Sequence, residues 1–213
     1  MASSALELLL ADGRTPTGGF AHSGGLEAAG LTAPEVPHFL RARLRTVGLI
    51  DASVAARAAA GDDPLELDDA WAARTPVPAL RDAGRRLGRA LLRLGLRLWP
   101  DSPLDSYAAA SATTPRPVVL GLAGRAAGME PIAAARLSLY DDAATVTSAA
   151  PKLLAVDALD TAAWLAGVAP LIDALAARAA ALGPTDPLPA PSTPLLDRRA
   201  HAHHTEDRRL FVS

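Results

Sequence analysis

Apolar side chains recur every three or four residues along most of the chain, a spacing that places them on one face of an α-helix. The plainest segment is 79–98, where a stripe of leucines runs beside a stripe of arginines at four-residue spacing. Another is 157–182, whose apolar stripe should face the core and which contains Pro170 as an expected kink. The β-branched runs that would indicate strands are missing. The pattern predicts an all-α fold. In 79–98 the two stripes are Leu80, Leu87, Leu91, Leu94 and Leu98, and Arg81, Arg85, Arg89, Arg93 and Arg97. In 157–182 the stripe is Trp164, Val168, Leu171, Leu175, Ala179 and Leu182.

Helix start and stop signals divide this pattern into segments. Residues 32–35 have the form of a capping box, and Gly61 should end the helix that follows them. Residues 183–194 contain five prolines and are expected to form an extended arm. We therefore predict a single-domain helical bundle over 1–182, followed by an arm and a C-terminal tail over 183–213. The expected helices are 5–11, 25–29, 39–60, 64–71, 79–98, 104–111, 118–128, 131–149 and 157–182.

Composition narrows the class of protein. The chain has 213 residues, of which 50% are hydrophobic and only 4% aromatic, so its core must be built mainly from alanine and leucine. A net charge of −2 gives no general attraction to nucleic acid or anionic membrane, and the absence of cysteine excludes disulfides and thiolate chemistry. The N-terminus lacks a basic segment and acidic residues interrupt the apolar runs, so we expect neither a signal peptide nor a membrane span. A soluble, cytoplasmic protein is expected.

A glycine-rich stretch from Asp12 to Glu27 interrupts the helical pattern, with five glycines among its sixteen residues. Glycine in a helix costs about 1 kcal/mol relative to alanine, so the cluster indicates a backbone shape that other residues would resist. Residues 15–18 are typical of a turn, and Phe20 follows the paired glycines as an aromatic anchor. We expect a compact loop in which the backbone approaches a neighbour closely.

Three enzyme motifs come close to this stretch. A phosphate-binding loop requires Lys and Ser or Thr where Gly19 and Phe20 stand, and a dinucleotide-binding loop requires a different glycine spacing after a strand. The segment 21–25 approaches the Gly-x-Ser-x-Gly nucleophile elbow, although that elbow belongs on a strand-to-helix turn. A serine-type hydrolase that uses Ser23 and His22 is therefore kept as an alternative.

The identities and order of nine residues in this stretch form a more distinctive pattern than the number of glycines does. They are Asp12, Pro16, Gly18, Phe20, His22, Ser23, Gly25, Leu26 and Glu27. The set resembles the N-terminal signature of the urease accessory protein F family (UreF). Further resemblances follow in the family's order, namely the arginine-bearing helix, 117–121, 148–149 and the terminal run 209–213. The chain departs from the family at 151–152, where Pro-Lys stands in place of the usual arginine and the following Gly-Gln pair is absent.

This resemblance implies a non-catalytic role in urease maturation. Family members are all-helical, are usually dimeric, and bind the accessory protein UreD (also called UreH) and the GTPase UreG. The complex that they form on apo-urease delivers nickel to its lysine-carbamate site. The resemblance thus implies no catalytic residues and no tightly bound cofactor in this chain, because the complex handles the nickel. The residues expected to contact partners are Phe20, His22, Ser23, Glu27, Arg85, Arg89, Arg93, Lys152, Arg209, Leu210 and Phe211.

The arginine stripe has two explanations. It is either the solvated face of an amphipathic helix or a docking surface for an acidic protein partner, since arginine forks favour ion pairs at interfaces. Nucleic-acid binding is disfavoured because no aromatic side chain is interleaved for base stacking. In the docking explanation the expected contacts are Arg85, Arg89 and Arg93.

The tail 208–213 is charged and then apolar. Leu210 and Phe211 would each gain about 1.5–3 kcal/mol from full burial, so both are unusual in a solvated chain end. We expect the tail to be mobile in the free chain and to become ordered against UreD, together with the loop 18–26.

Three of the five histidines cluster near the C-terminus, at His201, His203 and His204. Imidazole suits Ni²⁺, and His201 and His204 would share a helix face. A complete site requires further ligands that the sequence does not show, so an exposed histidine tract is the preferred interpretation and no metal site is predicted. A histidine-based nickel carrier is kept as the second alternative.

Overall fold

The structure, a computed structural model, describes residues 4–204 and 210–211, without the side chains of residues 4, 20, 203 and 204. The described residues form helices joined by turns and loops, and no strand occurs among them. The prediction of an all-α fold is confirmed. Some expected site positions fall outside the described part: Arg209 and the side chains of Phe20, His203 and His204.

The helices follow the segments expected from the sequence, with 3₁₀ turns at Gly19–Ala21 and Ala33–Glu35 and a π turn at Leu44–Gly48. Short connections between successive helices keep chain neighbours close in space. The helix bounds are α1 (Ser4–Ala11), α2 (Leu26–Ala29), α3 (Val36–Arg43), α4 (Leu49–Ala60), α5 (Pro64–Arg74), α6 (Pro78–Leu98), α7 (Pro103–Ala110), α8 (Arg116–Ala126), α9 (Pro131–Leu154), α10 (Ala158–Ala180) and α11 (Pro194–His204).

Local sequence signals account for where several helices begin and end. Asp63 and Asp157 cap α5 and α10, and each accepts a hydrogen bond at 2.8 Å from the backbone N–H two residues further on. The predicted capping box is present, because the Glu35 carboxylate accepts a hydrogen bond from the Thr32 backbone N–H at 2.8 Å. Gly61, with φ of 108°, ends α4 in the left-handed region that glycine adopts without strain.

The helix expected over 39–60 is present and contains a π turn. Residues 36–60 are helical without a break, and the π turn at 44–48 divides them into α3 and α4. Gly48 ends the turn and packs against α9, where a methyl group in its place would lie 3.2 Å from Leu139 Cδ2. The wider turn accommodates this close helix contact, and π turns often lie beside functional sites.

The core forms around α4, which packs against α8, α9 and α10. One apolar cluster, which includes Trp71 and Tyr107, joins α4 to α5, α7 and α8, and a second joins α4 to α3, α9 and α10. Small residues allow close approach, since a methyl group at Gly121 would lie 2.4 Å from the Ala55 carbonyl oxygen. Most of the buried side chains are alanine, leucine and valine, and so the expected alanine–leucine core is confirmed.

Helix α6 packs on the body of the protein through glycine as well as leucine. A methyl group at Gly88 would lie 1.6 Å from the Thr114 carbonyl oxygen, so glycine lets this helix rest directly on the segment before α8. Within the leucine stripe, Leu91 is buried, whereas Leu98 at its end is 39% exposed. Glycines mark the closest approach of this helix to its neighbours. The buried residues of α6 are Ala83, Gly88, Leu91, Leu92 and Gly95.

Helix α9 continues to Leu154, beyond its expected end at 149. Pro151 lies inside its last turn, where it removes only one backbone hydrogen bond. The helix ends at Ala155, whose φ of 50° is in the left-handed region. A proline this close to a helix end is tolerated, which explains why the sequence-based boundary was too early.

The proline-rich arm lies on the body of the protein. Residues 184–193 contain no helix, as expected. Arg57 and Arg74 together donate hydrogen bonds to four backbone carbonyls of the arm. Leu188 is buried and fixes the middle of the arm. The division of the chain into two parts at residue 182 stays a prediction.

Candidate partner-binding surface

The glycine-rich loop between α1 and α2 lies directly against α9. Gly18, Gly24 and Gly25 have φ values of 83°, 60° and 81°, in the left-handed region that favours glycine. A methyl group at Gly24 would lie 2.7 Å from Val146 Cγ2 and 3.6 Å from Arg43 Nε. The close backbone approach expected from the sequence is therefore present.

Ser23 and His22, the residues of the hydrolase alternative, are both buried in this loop. The Ser23 hydroxyl oxygen accepts a hydrogen bond from the Glu27 backbone N–H at 3.3 Å, which stabilises the first turn of α2. A nucleophile elbow instead holds its serine exposed on a strand-to-helix turn, and the described residues contain no strand. Burial favours a structural role for both side chains, because a partner does not reach them as it reaches the exposed candidates.

Leu210 and Phe211 of the tail lie against Glu27 of α2. Its carboxylate accepts hydrogen bonds from the backbone N–H groups of Leu210, at 2.7 Å, and Phe211, at 2.9 Å. Phe211 is 5% exposed, whereas Leu210 beside it is 63% exposed. The expectation that the tail is ordered only by a partner differs from this arrangement, which places Phe211 against its own chain. Burial of the ring and two charge-assisted hydrogen bonds account for its position.

Lys152 joins the same cluster from α9. Its ammonium nitrogen lies 5.5 Å from the centroid of the Phe211 ring, within the range of a cation–π interaction. Lys152 is itself exposed, so a partner has access to its charge. Four of the expected partner contacts thus share one surface, which we call the tail clasp: Glu27, Lys152, Leu210 and Phe211.

Helix α11 leads the chain back toward the tail clasp. It packs against α2 and α6, and Arg199 donates a hydrogen bond to the Ala29 carbonyl oxygen. His201 is exposed on this helix. Within the described ranges, no group of three or more His, Cys, Asp or Glu is placed to hold a metal ion. The nickel-carrier alternative depends on His203 and His204, whose side chains lie outside those ranges.

The arginines of α6 do not form a uniform face. Arg89 and Arg93 are exposed, whereas the Arg85 side chain is 27% exposed and lies 3.9 Å from the Asp82 carboxylate. The Nε atom of Arg85 is buried, which makes this residue less accessible to a partner than the sequence suggested. The exposed arginines of α6 form a surface that we call the basic ridge: Arg86, Arg89, Arg93 and Arg97.

A largely buried ionic network, which sequence reasoning missed, lies beneath the glycine loop. Arg43 donates three hydrogen bonds to the Asp142 carboxylate at 2.7–3.0 Å. Arg116 holds the neighbouring Asp141 at 2.7 Å. The signal that could have indicated it is the pair of adjacent aspartates in the middle of a predicted apolar helix.

These ion pairs border a cavity of about 160 Å³ between the loop and the core. Asp51 also lines the cavity and accepts a hydrogen bond from the Trp71 indole N–H at 2.9 Å. Burial and the neighbouring Asp142 raise the pKa of Asp51 to about 7. Burial, together with nearby arginines, lowers the pKa of His22 on the loop side. The cavity therefore places a carboxyl group that titrates near neutral pH beside the loop.

Helix α10 presents a broad apolar face to the outside. Leu159 is 78% exposed, and Tyr140 on the adjacent α9 is 39% exposed. By length and composition alone α10 could cross a membrane, and 22% of its apolar stretch is buried. One such helix is weak evidence for a membrane span, because helices of soluble proteins pass the same test. The small exposed residues of this face are Ala162, Ala163, Ala166, Gly167, Ala169, Pro170, Ala174 and Ala177.

Comparison with known proteins agrees with the resemblance seen in the sequence. The UreF family model matches residues 32–169. The urease accessory protein UreF of Mycolicibacterium vanbaalenii is 40% identical over 222 residues, which cover all of both chains. UreF of Mycobacterium sp. (strain JLS) is 43% identical over 97% of each chain, and UreF of Mycobacterium marinum is 40% identical over all of each. The helical fold and these full-length matches define a urease accessory protein. The chain belongs to the UreF family.

Proposed function

We propose that this chain is a non-catalytic scaffold of urease maturation. With UreD (UreH) and the GTPase UreG it supports the insertion of nickel into apo-urease in the cytoplasm, and the complex handles the nickel. Membership of the UreF family supports this role. The tail clasp is the observation that carries the proposal at the level of residues, because it brings the C-terminal tail against Glu27 and Lys152 and leaves Leu210 and Lys152 exposed.

The tail clasp suits a protein partner because it combines an exposed apolar side chain with an accessible charge. Leu210 projects from a backbone that Glu27 holds in place, and Lys152 lies close by. Because the tail is already held in place, binding a partner here orders fewer residues and costs less conformational entropy than binding to a mobile tail would. We infer that UreD docks here, on the exposed side of Leu210 and Lys152.

The basic ridge supports a second contact, with an acidic surface of another member of the complex. Among the described residues, neither Arg89 nor Arg93 takes part in an ion pair. Their guanidinium groups are therefore available for bidentate hydrogen bonds to carboxylates. The half-buried Arg85 is better suited to support the ridge than to contact a partner.

The apolar face of α10 supports a homodimer. A two-fold interface requires a self-complementary surface, and α10 carries exposed Asp160 and Arg178 near its opposite ends. When two copies pack antiparallel about an axis near Ala169, Asp160 of each copy comes opposite Arg178 of the other. The small residues between them permit close packing, and Tyr140 adds an aromatic side chain of the kind that often dominates interfaces.

Co-expression with UreD and UreG tests the scaffold role. We expect the three proteins to co-purify and expect urease to remain nickel-poor when this chain is left out. Esterase turnover that Ser23→Ala abolishes would support the hydrolase alternative. Nickel binding that is lost when His201, His203 and His204 are replaced would support the carrier alternative. Either result without complex formation would overturn the scaffold proposal.

A further inference from the structure

Among the ion pairs of the described residues, none includes the Asp51 carboxylate. Arg43 is committed to Asp142 by three hydrogen bonds of 2.7–3.0 Å. Among the described residues, the hydrogen-bond donor to Asp51 is the Trp71 indole N–H, at 2.9 Å. A neutral donor supports a carboxylate charge less strongly than a guanidinium does, so this site accommodates one negative charge more readily than two.

The same network supports the glycine loop. The Arg43 guanidinium packs beneath two glycines: its Nε would lie 3.6 Å from a methyl group at Gly24, and its terminal nitrogen 3.8 Å from one at Gly25. Arg43 and Asp51 both line the cavity of about 160 Å³ under the loop. This cavity has charged side chains along its wall and leaves space for one of them to move when a nearby charge changes. The loop therefore rests partly on an ion pair that has room to rearrange.

We propose that proton uptake and release at Asp51 controls how firmly the glycine loop is held. With Asp51 protonated, Asp142 alone attracts Arg43, and the guanidinium stays beneath Gly24 and Gly25. With Asp51 ionised, two carboxylates compete for Arg43, so the guanidinium shifts toward the cavity and the loop loosens. A looser loop should bind a partner less tightly; this consequence rests on the proposed function, whereas the loop movement itself does not.

The surroundings of Asp51 place its titration near neutral pH. Burial and Asp142 raise its pKa to about 7, against the opposing effects of the Trp71 hydrogen bond and two arginines. Burial and the nearby Arg86 and Arg116 lower the pKa of His22, which favours its neutral form. Burial also raises the pKa of Asp197, at the α11 side of the cavity. The charged groups that face the cavity with Asp51 are Arg43 of α3, Arg74 of α5, Arg116 of α8, Asp141 and Asp142 of α9, and Asp197 of α11.

Backbone amide resonances of Gly24 and Gly25 report on the loop without any partner. In the wild-type chain we expect them to shift with a midpoint near pH 7, as Asp51 titrates. Asp51→Asn keeps the side-chain shape but does not ionise, so this midpoint should be lost. Asp69→Asn, at an exposed acid of α5, is the matched control and should retain it. Constant resonances in the wild type, or an unchanged midpoint in Asp51→Asn, would overturn the proposal.

The Trp71 indole N–H provides a second measurement in the unmodified chain, in case Asp51→Asn folds poorly. It donates to Asp51, so its resonance, assigned with Trp71→Phe, should titrate with the same midpoint as the two glycines. A constant indole resonance would contradict the proposal. Affinity for UreD should fall from pH 6 to pH 8 in the wild type and stay level in Asp51→Asn. Absence of UreD binding at every pH would count against the proposed function, while the loop titration still decides this inference.

Discussion

Glu27 and Phe211 stand 184 residues apart in the chain, and the Glu27 carboxylate accepts a hydrogen bond from the Phe211 backbone N–H at 2.9 Å. This contact joins the N-terminal loop region to the C-terminal tail within one folded chain. Two neighbouring residues of the tail therefore have different surroundings. Phe211 is buried against the body, whereas Leu210 is 63% exposed and faces solvent.

Phe211→Ala should lower the free energy of unfolding by about 1–3 kcal/mol, because the buried ring and its contact with Lys152 are lost. Urea denaturation at constant pH measures the change. Leu210→Ala is the matched control, and its free energy of unfolding should change by less than about 0.5 kcal/mol, because an exposed side chain loses little on truncation. Equal stabilities of the two variants would show that Phe211 does not belong to the folded body.

Arg89→Glu combined with Arg93→Glu should weaken the co-purification of partners while the melting temperature stays near that of the wild type. Exposed charges contribute about 0–1 kcal/mol to folding but strongly affect association with a charged surface. Arg41→Glu with Arg45→Glu makes the same change of charge at exposed positions of a different segment and should leave binding intact. Normal partner affinity in the first variant would return the basic ridge to a simple solvated face.

Ala166→Arg should convert a homodimer into monomers, because it places a long charged side chain at the centre of the proposed α10 interface. Sedimentation velocity measures the change in mass. Ala73→Arg, at an exposed alanine of α5, is the control for the substitution itself and should leave the mass unchanged. A monomeric wild type, or an Ala166→Arg variant that remains dimeric, would exclude this face as the interface.

Asp51 should make the protein less stable as the pH rises from about 4 to about 7. Its pKa is raised from 3.8 to about 7 in the folded chain, so the folded state keeps a proton that the unfolded state releases over this interval. The stability that this group contributes is complete below pH 4 and is lost as the pH approaches 7. Urea denaturation at pH 5 and pH 8 should show a larger loss for the wild type than for Asp51→Asn. Identical pH dependence of the two proteins would contradict the raised pKa.

The helices were predictable because the apolar period directly reports a buried face. In α10, Val168 and Leu175 follow that period and are buried. In α6 the leucine period also includes Leu98, which is 39% exposed. Gly88 makes the closest contact of that helix and has no side chain to contribute to an apolar pattern. A pattern of hydrophobic residues therefore does not identify a face that packs through glycine.

The site was predictable in its residue types but not in its contacts. Family resemblance singled out Glu27 and Phe211 separately, yet nothing local in the sequence indicates that a carboxylate holds a tail amide 184 residues away. The ionic network was missed for a similar reason. Arg43 and Asp142, 99 residues apart, each look like solvent-facing charges until the packing of the π turn after α3 against α9 brings them together.

The central claim is that the chain supports nickel insertion into urease through the exposed side of the tail clasp. The nickel content of urease, produced in cells that contain the other accessory proteins, tests this most directly. With Leu210→Asp we expect urease to remain nickel-poor although the variant itself is folded, because Leu210 is exposed. Leu65→Asp, at a leucine of α5 that is 41% exposed, should leave urease fully loaded. Fully loaded urease with Leu210→Asp, or in the absence of the chain, would contradict the account.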